Sequence, residues 1–189
     1  MHKIKNMQIQ TELLLRELLD LTENSIHSVK KFKLLSPLQL NYKKSPTEWS
    51  ILECIEHLNL YGDFYLPEME KQILASKACT KSYVFKSGLI GNYFANLMKA
   101  NNGKIKKMKS PSDKNPLNSA LTLLTLDRFL KQQELLKLLL DQAKSIDLVK
   151  TKTSISLSEF IKLRLGDTFR FYVFHIERHI LQSESAAEY

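Results

Sequence analysis

The sequence predicts an all-α fold, a four-helix bundle, and three observations carry that expectation. The 189 residues include only 5 Gly and 5 Pro, too few for the turns of a sandwich or a barrel. They are rich in Leu, Lys, Glu, Ile and Gln, which favour helix. Four long segments repeat apolar residues at three-and-four spacing, and no segment reads as a convincing strand. The length and the balance of 43% hydrophobic to 25% charged residues fit one globular domain spanning 1–189.

The first helix is expected over about residues 9–32, with Leu13, Leu14, Glu17, Leu18, Leu21, Ser25, Val29 and Phe32 on one stripe. Ser36-Pro37 breaks it, and Ser45-Pro46 closes the connection that follows. The second helix has the clearest start. In Ser50-Ile51-Leu52-Glu53 the serine oxygen accepts from the Glu53 N–H, and the glutamate reaches back to the Ser50 N–H, a capping box. Trp49 and Cys54 occupy the flanking positions of a hydrophobic staple. Ile51, Cys54, Ile55, Leu58, Tyr61, Tyr65 and Met69 form its buried face, and Pro67 predicts a kink, or a break and restart.

A long irregular connection, about 76–116, joins the second and third helices. Gly88, Gly91, Gly103, Asn101-Asn102, Ser110-Pro111 and Asn115-Pro116 are loop chemistry, with a short helix expected near 89–99. The third helix is expected over about 117–146, with Leu121, Leu124, Phe129, Leu136, Leu139 and Leu140 inward. A polar link at 149–154 leads to a fourth helix over about 156–183. Ser156-Leu157-Ser158-Glu159 offers it a second capping box, and Gly166 weakens it locally.

Composition excludes several classes of function. Two cysteines, Cys54 and Cys79, form neither a disulfide framework nor a CxxC zinc site. The net charge of +8 comes from 28 Lys+Arg against 20 Asp+Glu, but the basic residues are dispersed. Lys30, Lys31 and Lys33, then Lys43 and Lys44, then Lys104, Lys106, Lys107 and Lys109 lack the interleaved aromatics of a base-stacking platform. A solvated basic surface is the reading, and nucleic acid is not an expected partner. Leu13-Leu14-Leu15 is interrupted at once by Arg16 and Glu17, unlike a signal peptide. The longest uncharged stretch, 87–98, falls short of the roughly 20 residues a membrane span requires. The expected location is the cytoplasm, with no membrane partner.

Five histidines remain: His2, His27, His57, His175 and His179. His175 and His179 stand four apart in the fourth helix, on one face with Leu165, Thr168, Tyr172 and Gln182. His57 lies beside Cys54, Leu58 and Tyr61 on the inward face of the second helix. A buried neutral imidazole needs a hydrogen-bond partner, and three together are costly without one. A divalent cation would take a lone pair from each ring and leave a fourth position open. HxxxH also occurs in plain helical cores, and it lacks the glutamate of HExxH. From the residues alone, a metal site and packed core imidazoles both remain open.

Three further groups flank these histidines. Tyr61, one turn after His57, and Gln182, one turn after His179, are candidates for handling a substrate or supporting a ligand, and Tyr172 for lining a pocket. Glu53 reads as a cap, Cys54 as a core thiol, Glu177 and Arg178 as surface, His27 as a helix edge and His2 as a chain end.

Three stretches resemble the DinB-like (YfiT-like) superfamily of metal-binding bundles. The run from Trp49 and Ser50 to His57 and Leu58 is similar to that family's Trp-Ser…His-Leu opening of helix two. Lys107-Met108-Lys109-Ser110-Pro111, followed by Asn115-Pro116, is similar to its basic, proline-marked lead-in to helix three. His175-Ile176-Glu177-Arg178-His179-Ile180-Leu181-Gln182 is similar to its HxxxHxxQ; Leu181 stands where a glycine is frequent. The resemblance implies a divalent metal, commonly zinc or nickel, held by His57, His175 and His179. It also implies thiol-dependent S-transferase or isomerase relatives and a homodimer.

A three-histidine site with an open position suits two reactions on a small molecule. It would lower the pKa of bound water for hydrolysis, or present a low-molecular-weight thiol as thiolate for transfer. A metal-dependent transferase or hydrolase is therefore expected. The alternative is a non-catalytic metal-binding or stress-response accessory bundle.

Overall fold

A computed structural model describes residues 7–76, 81–99 and 109–187. His2, Cys79, Gly103, Asn101-Asn102, Lys104, Lys106, and the Lys107-Met108 that opens the basic lead-in lie outside the described residues. In chain order the elements are β1 (Gln8–Gln10), α1 (Thr11–Phe32), α2 (Pro37–Asn41), α3 (Ile51–Ala75), β2 (Val84–Lys86), α4 (Leu89–Met98), α5 (Leu123–Gln142), β3 (Lys152–Ile155), β4 (Ser158–Arg164) and α6 (Leu165–Ala187). The protein is mostly helical. α1 and α3 each pack against both α5 and α6, and α4 lies along α6.

Apolar periodicity decides what these helices bury. Leu14, Leu18 and Val29 of α1 meet Ile51, Ile55 and Leu58 of α3, Phe129, Leu136 and Leu139 of α5, and Phe169, Val173 and Ile176 of α6 in one core. Of the stripe expected on the first helix, Glu17 is exposed, and Leu15 and Thr22 are buried instead. The Ser50 capping box forms as expected, with Glu53 N–H donating to Ser50 Oγ at 3.2 Å and Ser50 N–H to Glu53 Oε2 at 2.9 Å. Pro67 sits inside α3, which runs unbroken through it; the break and restart do not occur.

Two expectations need correction. The third helix starts at Leu123, six residues later than expected. Asn118 adopts φ 64, which no right-handed helix contains, and Thr122 Oγ1 caps α5 by accepting from the Leu124 N–H at 3.3 Å. Leu124 consequently points outward at 73% exposure, and Leu126 takes the buried position.

The fourth helix starts at Leu165, because residues 152–164 form a hairpin. Lys152, Ser154, Lys162 and Arg164 alternate with buried Thr153, Ile155 and Leu163, a period of two. β-Branched residues at that period favour strand over helix. Ser156-Leu157 is the turn of this hairpin and Ser158 opens β4, so the capping-box spacing of Ser156-Leu157-Ser158-Glu159 caps no helix. The second strand pair, β1 with β2, ties the start of α1 to the connection after α3.

The start of α6 is pinned. Buried Asp167 accepts from Ser87 Oγ and from the Gly88 N–H at 2.8 Å, and pairs with Arg170 at 3.1 Å. Gly166 admits the Phe85 ring, since a Cβ there would stand 2.4 Å from it. Among the described residues no helix is long and apolar enough to cross a membrane.

Candidate metal centre

α3 and α6 lie side by side, and the inward faces of both carry histidine. His57 on α3 and His175 and His179 on α6 are all buried. Their ring centroids stand 5.0 Å (His57–His175), 4.7 Å (His57–His179) and 4.7 Å (His175–His179) apart. One nitrogen from each lies within 4.8 Å of the other two, so the three could hold a metal ion.

Hydrogen bonds orient two of the rings. His57 Nδ1–H donates to the Lys114 carbonyl at 2.6 Å, and His179 Nδ1–H donates to Gln182 Oε1 at 3.0 Å. With Nδ1 protonated, the Nε2 lone pair of each ring is free for coordination. His57 Nε2 faces His175 Nε2 at 3.2 Å. Two nitrogens bound tetrahedrally to one zinc-sized ion, each at about 2.05 Å, lie about 3.3 Å apart. His175 Nδ1 finds no hydrogen-bond partner among the described residues. If His175 protonates Nε2, its Nδ1 lone pair is stranded; if it protonates Nδ1, two lone pairs face each other at 3.2 Å. A cation between the rings removes that second conflict, and the donor set fits one.

Burial keeps all three rings neutral, the state a ligand needs. It lowers His57 to about 4, with the Lys114 carbonyl opposing. Burial drives His175 and His179 well below the ordinary histidine range, and the neighbouring imidazoles push the same way. Trp49 covers the cluster, its ring 4.6 Å from His57 and 5.7 Å from His179. Tyr61 flanks it at 4.9 Å from His57 and 4.5 Å from His175, and Phe171 stacks on His175 at 5.9 Å. Burial raises the Tyr61 hydroxyl to about 12, so it stays protonated and able to donate.

The other candidates separate clearly. Gln182 accepts from His179 Nδ1–H and so supports that ring. Glu53 is consumed by its cap, by Lys43 at 2.6 Å and by the Asn118 N–H at 2.6 Å. Cys54 is fully buried, and burial lifts its thiol to about 12, so it packs as a core residue. Tyr172 packs on Tyr65 at 5.8 Å with Gln133 facing its hydroxyl. His27 is exposed and Glu177 half-buried. Arg178, expected on the surface, is 5% exposed, and its charge bears on both His175 and His179.

Sequence reasoning missed the Lys114 carbonyl, a backbone group that no side-chain pattern announces. From the residues it assigned Trp49 a staple and no place over the histidines; its position eight residues before His57, about two helical turns, was the available signal. A surface groove of about 450 Å³ between the start of α1 and the end of α5 contains none of these residues.

No curated protein and no solved structure matches the chain at a significant level. Two helices that bring one and then two histidines to a common point, in the order resembling the DinB-like pattern, agree with the family comparison. Residues 18–183 match the family model of the DinB superfamily, and the chain belongs to that superfamily.

Proposed function

We propose that this chain is a single-domain four-helix bundle holding one divalent metal ion, zinc or nickel, on His57, His175 and His179. It acts on a small molecule as a low-molecular-weight-thiol S-transferase or as a hydrolase. The observation that carries the reading is the convergence of three buried, neutral imidazoles, with ring nitrogens within 4.8 Å, from helices 118 residues apart at His57 and His175. When bound there, the ion supplies Lewis-acid chemistry that lowers the pKa of a water or thiol.

The chain's own residues do the rest. Lys114 and Gln182 hold the imidazoles of His57 and His179 with Nε2 turned inward. Trp49 and Phe171 keep bulk water from the rings, and the Tyr61 hydroxyl offers a proton or hydrogen bond to a reacting group. A homodimer in the cytoplasm completes the proposal. The exposed apolar face of α4, with Leu89, Ile90 and Tyr93 each more than half exposed, is a surface suited to a second copy.

One observation favours the alternative, an accessory bundle that binds metal without turnover. No ring of the trio is more than 9% exposed, so the site is closed in this conformation. An S-transfer assay separates the two. Several low-molecular-weight thiols are incubated with a generic electrophile and the metal-loaded protein, with and without chelator. Chelator-sensitive consumption of thiol is expected; no turnover with any thiol favours the accessory reading.

A further inference from the structure

Residues 110–118 cross the start of α3 and are fastened to three of its neighbouring side chains. Trp49 Nε1–H donates to Asn115 Oδ1 at 3.1 Å, His57 Nδ1–H to the Lys114 carbonyl at 2.6 Å, and the Asn118 N–H to Glu53 Oε1 at 2.6 Å. Lys43 Nζ bridges Glu53 Oε1 at 2.6 Å and Asn118 Oδ1 at 3.1 Å. Ser110 Oγ donates to the Lys114 carbonyl at 3.2 Å. Asn118 is the one non-glycine residue with positive φ among the described residues. Such a conformation is disfavoured for a side chain bearing a Cβ and persists where surrounding contacts enforce it; here both its amide and its side chain are held.

We propose that residues 110–118 form a strap whose closure is coupled to metal binding, with Glu53 as its buried positioning residue and the Lys114 carbonyl as the group that orients His57. The proposal rests on the metal-centre reading above and adds the regulation of that centre. His57 belongs to both systems at once. One of its nitrogens faces the other imidazoles, and the other is tied to the strap.

When the strap opens, His57 loses the acceptor that holds its proton on Nδ1, and the Nε2 lone pair is no longer fixed. Trp49, hydrogen-bonded to the strap through Asn115 and packed at a tilt against His57 and His179, is released in the same motion and uncovers the site. A closed strap therefore retains the ion, and an open one admits ligands. Coupling of this kind is reciprocal: the factor by which the strap tightens metal binding is the factor by which metal stabilises the closed strap. Outer partners of metal-bound histidine are typically worth 10–100-fold in affinity.

The test uses the full chain with zinc as the probe, comparing wild type with Glu53→Gln, Asn115→Ala and Asn115→Asp. Zinc affinity is read by competition with a chromophoric chelator, and amide hydrogen exchange is followed across 110–118. Zinc is expected to slow exchange in the strap of the wild type. Glu53→Gln and Asn115→Ala should weaken zinc binding about 10-fold or more and speed strap exchange, with α6 protection unchanged. Asn115→Asp keeps an oxygen for Trp49 and should restore affinity, which a merely structural role would not predict.

Should Glu53→Gln disturb the cap and unfold α3, Asn115→Ala decides, because it lies outside every helix. Wild-type affinity and strap exchange in Asn115→Ala, or strap exchange indifferent to zinc, overturn the coupling. A wild-type protein that binds no zinc instead overturns the metal-centre reading and the coupling with it, a distinct result.

Discussion

His179 keeps its proton on Nδ1 because Gln182, three residues on, offers an oxygen at 3.0 Å, and His57 does so because a backbone carbonyl stands at 2.6 Å. Those partners fix the tautomers and oppose the shift, while burial, the larger effect, makes the rings poor bases and available ligands. The consequence for stability has a definite sign. His57 titrates near 4 in the fold and near 6.5 in an unfolded chain, so between those values the unfolded state binds the extra proton. The stability tied to its neutral form is fully present above pH 6.5 and is lost as pH falls towards 4. His175 and His179 are shifted in the same direction. Thermal unfolding of metal-free protein should show Tm falling steadily from pH 6.5 downwards, with a shallower slope in His57→Gln. A flat profile through that window would mean the rings are not buried as neutral groups. The three histidines were legible because HxxxH fixes one face and the apolar neighbours of His57 fix another. Arg178 was not, since its charge outweighed its position, one residue from a buried ligand candidate, in the reading.

Helix starts show how far local chemistry carries. The same spacing, Ser-x-x-Glu, caps α3 at Ser50 but makes a hairpin turn at Ser156. What differs is context: apolar residues at helical period follow Ser50, whereas Ile155, Ile161 and Leu163 surround Ser156 at strand-like spacing. Tertiary contact then sets the true start of α6, where Gly166 lies against the Phe85 ring. No sequence signal links residues 85 and 166, so the glycine read only as a weak helix former. In a solvent-facing helix Gly→Ala would stabilise by up to about 1 kcal/mol. At this position a methyl would meet a fully buried ring at 2.4 Å, and Gly166→Ala is expected to destabilise by about 1–3 kcal/mol. Urea unfolding measures it; a gain in stability would show that β2 and α6 do not approach as described.

Across the whole molecule, the helical content and the long elements followed from composition and period, and the two strand pairs did not. β1 and β2 are three residues each and pair across distant parts of the chain, and the β3–β4 hairpin lies in a segment read as a polar link and the start of a helix. The site depends on that larger arrangement. α3 and α6 must run side by side for His57 to meet His175 and His179, and Trp49, the one tryptophan in the chain, reports on the meeting point. Titrating metal-free protein with Ni²⁺ or Co²⁺ while following Trp49 emission tests this directly, because a paramagnetic ion a few ångströms from the indole quenches it. Quenching that saturates at one equivalent, and disappears in the His175→Ala, His179→Ala double variant while helicity persists, is the predicted result. No saturable quenching, or quenching that survives in the double variant, would contradict a metal centre at these three histidines.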